Sequence, residues 1–216
     1  NIMGTLVLLN VAGNKHVQRF IYASSSSVYG NNPEQVKTES LPTMPLSPYA
    51  CAKLAGENMC RAFHGVYGLP TICLRYFNVF GPYQDEKSFY SAVIPKFIHC
   101  MLKGKSPVIY GDGLQSRDFT YIDNIVDANL RAAGMIAVAS EEAFGKSMNI
   151  ATNNSFSLLR LVEIINKEIG KNIQPQFTDT QPGDVKHSRA DISRATKLLD
   201  YRPIVMFQEG VAKTID

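Results

Sequence analysis

What most narrows the folds open to this chain is the order in which short apolar runs alternate with amphipathic stretches. Arg19-Phe20-Ile21-Tyr22-Ala23 is a compact apolar run that ends in the serines Ser24 to Ser27. Ser47-Pro48 then opens a stretch with apolar side chains at Ala52, Ala55, Met59, Phe63 and Val66. That recurrence is helical. Serine suits the N-cap, proline suits the first helical position, and Gly68 with Pro70 supplies a stop. The next strand is predicted over Thr71–Phe80, closed by Gly81-Pro82. Further helices are predicted over Asn1–Asn14, Ala92–Lys103, Asp123–Met135, from Ser157 onward, and over Ser193–Leu199. Further strands are predicted at Pro107–Tyr110 and Met148–Ala151, and the polar Gly30–Met44 reads as loop. Strands separated by crossover helices at this spacing predict a parallel sheet and an α/β fold. The more irregular turns after Pro82 predict a second lobe built on that sheet.

Composition excludes several alternatives. The chain has 216 residues, 45% of them hydrophobic, enough for one large domain or two small ones with a real core. A net charge of +3, with the basic residues scattered, points away from nucleic acid. No apolar run approaches the roughly 18 residues of a membrane span, and no signal peptide is visible. Cys51, Cys60, Cys73 and Cys100 form no C-x-x-C pair and lie at no zinc spacing from His16, His64, His99 or His187. Small thiols in a reducing cytoplasm are the expectation, and no metal site. The chain opens on Asn1-Ile2-Met3-Gly4, inside a predicted helix and without an initiator methionine. We therefore expect a fragment whose preceding residues are absent.

The chemistry concentrates in Tyr49-Ala50-Cys51-Ala52-Lys53. Side chains four residues apart on a helix share a face. An ammonium beside a phenol favours phenolate, and so does the first turn of a helix. Tyr49 is thus a candidate general base. Alone, such a pair is commonplace on helix surfaces. The serine run about 25 residues earlier gives it weight, because strand C-termini in a parallel sheet face the ligand crevice. Ser25 is placed there to share a proton with Tyr49 and a substrate oxygen.

Five segments in order resemble the UDP-sugar 4-epimerases, members of the extended short-chain dehydrogenase group. They are Tyr22 to Gly30, Ser47 to Lys53, Leu74 to Pro82, Tyr110-Gly111-Asp112-Gly113 through Asp123, and Gly183 to Asp191. The resemblance covers essentially the whole chain. It implies a Rossmann-like doubly wound parallel sheet whose N-terminal half is missing, with a smaller C-terminal substrate lobe. Residues 1–82 would belong to the NAD-binding domain and 83–216 mainly to the UDP-sugar lobe, with about 119–152 returning to the Rossmann sheet. Its tyrosine base falls on Tyr49, its ribose-holding lysine on Lys53, and its serine, four residues before the Tyr-Gly pair, on Ser25. Ser24 and Tyr76, with Tyr49 and Lys53, would meet the cofactor NAD, which carries the redox chemistry.

Substrate contacts carry over in the same way. Asn78 and Arg117 would hold the diphosphate, which suits a guanidinium fork. Tyr110 and Val93 would flank the uracil, Asp184 the UDP ribose, and Ser26 the sugar. Taken singly these residues have plainer readings: a turn for Asn78 and Asp184, a surface cation for Arg117, core packing for Tyr110, and a strand-end hydrogen bond for Ser24 or Ser26. Gln181 stands where UDP-galactose epimerases have an arginine, and Phe119 replaces a tyrosine of some relatives. The glycine fingerprint G-x-x-G-x-x-G, which approaches the cofactor pyrophosphate, is absent. The fragment alone is therefore expected to bind NAD poorly and to be inactive.

Ser188 matches a site where strict UDP-glucose/UDP-galactose epimerases carry a bulky tyrosine. A small residue there leaves room beside the sugar 2-substituent, although a turn role alone would also suit a serine. With Leu74 to Gln84, Ala92 to Lys96 and Gly183 to Asp191, it makes the chain most like bacterial UDP-N-acetylglucosamine 4-epimerases. Interconversion of UDP-GlcNAc and UDP-GalNAc, or of their uronic acids, is the expectation. A 4,6-dehydratase would need an acid pair where Ser26 and Ser27 stand. Gln181 favours a UDP-glucuronate 4-epimerase or decarboxylase, whereas Asn78 and Ser188 oppose it; UDP-glucose 4-epimerisation is a further alternative. A non-catalytic sugar-nucleotide-binding protein would not need Tyr49, Lys53 and Ser25 together. A homodimer through paired helices, one of them the Ser47–Val66 helix, is implied by the resemblance.

Overall fold

The structure is a computed structural model and describes residues 1–85, 93–136, 139–180 and 186–215. Helix α1 (Ile2–Asn14) leads to β1 (Phe20–Ser25), a 3-10 turn (Ser26–Tyr29), β2 (Val36–Lys37), α2 (Pro48–Tyr67), β3 (Thr71–Tyr76) and β4 (Val79–Phe80). There follow α3 (Val93–Leu102), β5 (Val108–Tyr110), β6 (Ser116–Arg117), β7 (Thr120–Tyr121) and α4 (Ile122–Ala133). A second 3-10 turn (Glu141–Ala143) precedes β8 (Lys146–Ile150), β9 (Phe156–Ser157) and α5 (Leu158–Ile169). The chain closes with β10 (Gln176–Thr178), β11 (His187–Ala190), α6 (Ser193–Leu199) and α7 (Phe207–Ile215).

The fold is α/β with parallel sheets. Strands β1, β3 and β8 form one sheet in that order, all parallel. Ser25 registers with Tyr76, and Tyr76 with Ile150, so the carboxyl ends of all three strands finish at one edge. The first five residues of β3, at the centre, are buried, as expected of a strand covered on both faces. Helix α2 begins as its sequence dictates. The Ser47 hydroxyl accepts from the Ala50 N–H at 3.1 Å, Pro48 follows, and Gly68 ends the helix at φ 67°. Gly56 lies where α2 meets β1, and a Cβ built there would collide with the Tyr22 hydroxyl.

The apolar run 71–80 is not one strand, which corrects the expectation from its sequence. It leaves the sheet after Tyr76, turns at Asn78 with φ 34°, and resumes as β4, which pairs with β7 in a separate ladder. Asparagine tolerates that left-handed turn, and its amide closes it by donating to the Asp118 carbonyl at 2.9 Å. The polar stretch 30–44 likewise contains β2, which joins the sheet β2–β11–β6–β9. In it β11 runs parallel to β2 and β6, and β9 is antiparallel to β6. Helix α7 had no counterpart in the sequence reading; Phe207 at its start stacks on Phe119 and Phe156.

The described residues form separate buried apolar clusters. One packs the β1–β3–β8 sheet against α4 and α6. Another fills the space among α3, α5 and α7. A third lies between the sheet and helices α1 and α2. Helix α1 buries Leu9 and Ala12 but leaves Met3, Val7, Leu8 and Val11 exposed.

Candidate active site

The carboxyl edge of β1 and β3 opens into a cavity of about 540 Å³. Ser24, Ser25 and Ser26 form one wall, with Tyr49 from the first turn of α2. Tyr76 and Asn78 come from the end of β3 and the turn after it. Arg117 and Ser188 come from the facing β2–β11–β6–β9 sheet, where they are register partners. Eight of the residues singled out in the sequence thus line one space. Val93 opens α3 and Tyr110 ends β5, and neither lines this cavity. Gln181 and Asp184 lie outside the described residues.

The Tyr49 ring is about half exposed and open to the cavity. One turn on, the Lys53 ammonium lies 5.7 Å from the Tyr49 ring centroid and 5.3 Å from that of Tyr22. It donates to the Ala23 carbonyl at 2.7 Å, which ties α2 to the end of β1. Partial burial lowers its pKa. The Ser25 hydroxyl caps the 3-10 turn by accepting from the Ser27 N–H at 3.2 Å. The Ser24 hydroxyl points the other way and donates to Glu57 at 2.5 Å. The Tyr76 hydroxyl pairs with the Asn129 amide, and burial raises its pKa. Arg117 donates to the Ser116 and Lys186 carbonyls at 2.9 and 3.3 Å, contacts that orient the side chain at the cavity wall.

Sequence reasoning missed three residues. Lys37 and Tyr29 also line the cavity. The Lys37 ammonium is buried and donates to the Asn32 carbonyl at 2.6 Å and to that of Glu34; burial lowers its pKa. Nothing in the polar stretch around it marked a strand. Glu57, behind the wall, had a visible signal: it is the next step of four after Tyr49 and Lys53.

Asp118 anchors the floor between the two sheets. Its buried carboxylate accepts from the Thr152 N–H and hydroxyl at 2.9 and 2.7 Å, and from the Ala190 N–H at 3.2 Å. Burial outweighs those bonds and pushes its pKa up to about 6. The folded protein therefore holds a proton there that the unfolded chain, with an ordinary pKa near 3.9, releases. That contribution is complete below about pH 4 and is lost as pH rises through about 6, by up to about 3 kcal/mol. Denaturant titrations at pH 4 and pH 7 should show this difference shrinking in Asp118→Asn. An undiminished difference in the variant would rule Asp118 out as its source.

A phenol and an ammonium lie on one helical face, over the carboxyl edge of a parallel sheet, where folds of this kind bind their ligands. The chain belongs to the NAD dependent epimerase/dehydratase family, whose profile matches residues 1–151. It is 34% identical over its full length to a UDP-glucose 4-epimerase of Mycolicibacterium smegmatis, 67% of which it covers. Among solved structures it is similar to the UDP-N-acetylglucosamine 4-epimerase from Methanobrevibacter ruminantium in complex with UDP-N-acetylmuramic acid. The TM-score is 0.92 at 44% identity, over 100% of this chain and 67% of that one. It also resembles the UDP-glucuronic acid 4-epimerase of Bacillus cereus in complex with UDP-glucuronic acid and NAD. There the TM-score is 0.87 at 35% identity, over 100% of this chain and 66% of that one. The chain thus spans about two thirds of the length of these relatives.

The family is NAD-dependent, and the donor set suits the nicotinamide end of that cofactor. The Tyr49 side chain and the Lys53 ammonium lie on one helix face, a hydroxyl and an ammonium that can both donate to ligand oxygens. No G-x-x-G-x-x-G loop to cradle a pyrophosphate occurs in these 216 residues. Among the described residues, no helix is long and apolar enough to cross a membrane, and no cluster of His, Cys, Asp and Glu could hold a metal.

Proposed function

We propose that the full-length protein epimerises a UDP-hexose at C4, with UDP-GlcNAc and UDP-GalNAc, or their uronic acids, as the pair interconverted. The observation that carries this reading is the meeting of Tyr49, Ser25 and Ser188 in one cavity. Tyr49 takes the proton of the sugar 4-hydroxyl, helped by the Lys53 charge. Ser25 shares a hydrogen bond with the same oxygen and relays the proton on return. NAD, held by Tyr49 and Lys53, would supply the reversible hydride transfer at the sugar C4. Ser26 and Ser188 leave the ring room to turn, and Arg117 and Asn78 hold the diphosphate. Val93 and Tyr110 would reach the uracil, and Gln181 and Asp184 the diphosphate and ribose. Lys53, Tyr76 and the Ser24 backbone would meet the cofactor.

The parallel pairing of β8 with β3 supports grouping residues 1–82 and about 119–152 as the NAD-binding part, with the rest of 83–216 as the sugar lobe. The exposed apolar face of α1 beside α2 supports a homodimer through these helices. Four free thiols fit a cytoplasmic setting.

Proton NMR of UDP-GlcNAc incubated with the full-length protein tests the reading directly, and UDP-GalNAc should accumulate. In Ser188→Tyr, turnover of the acetylated sugar should fall about 10- to 200-fold, with UDP-glucose turnover kept. Equal turnover of UDP-GlcNAc by variant and parent would remove Ser188 as the gate.

A further inference from the structure

We propose that Glu57 is a positioning residue for this reaction, fixing the serine wall against the helix that carries Tyr49. The inference rests on the reading of Tyr49 as the base. Tyr49, Lys53 and Glu57 follow one another at steps of four along α2. Tyr49 ends in the cavity and Lys53 at the Ala23 carbonyl, whereas Glu57 turns fully inward, 1% exposed. Its carboxylate accepts from Ser24 of β1 at 2.5 Å, from Arg75 of β3 at 2.9 and 2.7 Å, and from Ser147 of β8 at 2.9 Å. One side chain of α2 therefore grips all three strands of the sheet, and on β1 it holds the residue next to Ser25.

The path continues across the cleft. Arg75, 4% exposed, donates to the Tyr29 hydroxyl at 2.9 Å, which donates to Asn149 at 2.7 Å. The Asn149 amide donates in turn to the carbonyls of Lys37 and Asp191 at 2.9 and 3.1 Å. Lys37 belongs to β2, and Asp191 follows β11, the strand of Ser188. A single buried hydrogen-bonded route thus joins the helix of the base to the strands that face it. A buried ion pair adds little net stability over apolar packing of the same volume. What the pair supplies here is a fixed separation of the two walls, with every partner hydrogen-bonded.

The test uses the full-length protein and leaves the Glu57–Arg75 pair in place. Ser24→Ala deletes only the hydroxyl that ties Glu57 to β1. Its kcat is expected to fall about ten- to a hundredfold, with KM for the UDP-sugar and the content of bound NAD unchanged. Ser24→Thr, which keeps a hydroxyl, is expected to recover most of the rate. Glu57→Gln, measured per folded molecule, is expected to lose kcat in the same way. Unchanged kcat in Ser24→Ala overturns the inference, as does a loss that saturating NAD reverses or that Ser24→Thr does not restore. If Glu57→Gln does not fold, the Ser24 pair decides alone. Full activity in Tyr49→Phe would instead sink the proposed base and leave the network a separate matter.

Discussion

Tyr49→Phe is expected to lower turnover by about 10²- to 10⁴-fold, the usual worth of a positioned general acid or base. The substitution keeps the ring, and with it the contact to the Lys53 ammonium 5.7 Å from its centroid. It removes only the hydroxyl of a side chain that lines the cavity with Ser25. Little stability should be lost, because the side chain is about half exposed. The loss should appear in kcat with KM nearly unchanged, since the hydroxyl acts on a proton in flight. Turnover followed by NMR at saturating UDP-sugar measures it. A residual kcat within threefold of the parent would mean that another group takes the proton.

Arg75→Ala should be the most damaging change to the fold itself. It leaves the Glu57 carboxylate, 1% exposed, with only the Ser24 and Ser147 hydroxyls, and it deprives Tyr29 of a donor. Removing one member of a buried pair costs about 3–5 kcal/mol, because the other charge stays buried. For a chain of this size that is a fall in Tm of about 6–20 °C. Replacing both, Glu57→Leu with Arg75→Met, should destabilise less than Arg75→Ala alone, since no bare charge remains. Thermal melts of the two variants give the comparison. If the double variant proved the weaker, the stranded-charge explanation would fail.

The Tyr49–Lys53 part of the candidate site was legible because its residues are tied together locally. The cap at Ser47-Pro48, the apolar stripe and the step from Tyr49 to Lys53 all belong to one helix, and helical periodicity survives in sequence. The β1–β3–β8 sheet was legible because strands buried on both faces read as apolar runs. The facing β2–β11–β6–β9 sheet was not, because its strands are two to four residues long. That is too short for alternation to register, so Lys37 vanished into a polar loop. The break at Asn78 was hidden for the opposite reason, since both sides of it are apolar. Glu57 and Arg75 join across 18 residues of sequence, a distance at which spacing carries no signal and only the folded packing does.

Gly56 shows what the closeness of α2 to β1 demands. The Tyr22 ring lies flush against the bare backbone of that helical turn, and the same ring is the floor on which the Lys53 ammonium rests. A single added carbon would collide with the end of the Tyr22 ring, so either that ring or the helix would have to shift. Position 56 does not line the cavity. Its lone hydrogen is nonetheless the clearance that lets the helix bearing Tyr49 and Lys53 sit this close to the strand that ends in Ser24 and Ser25.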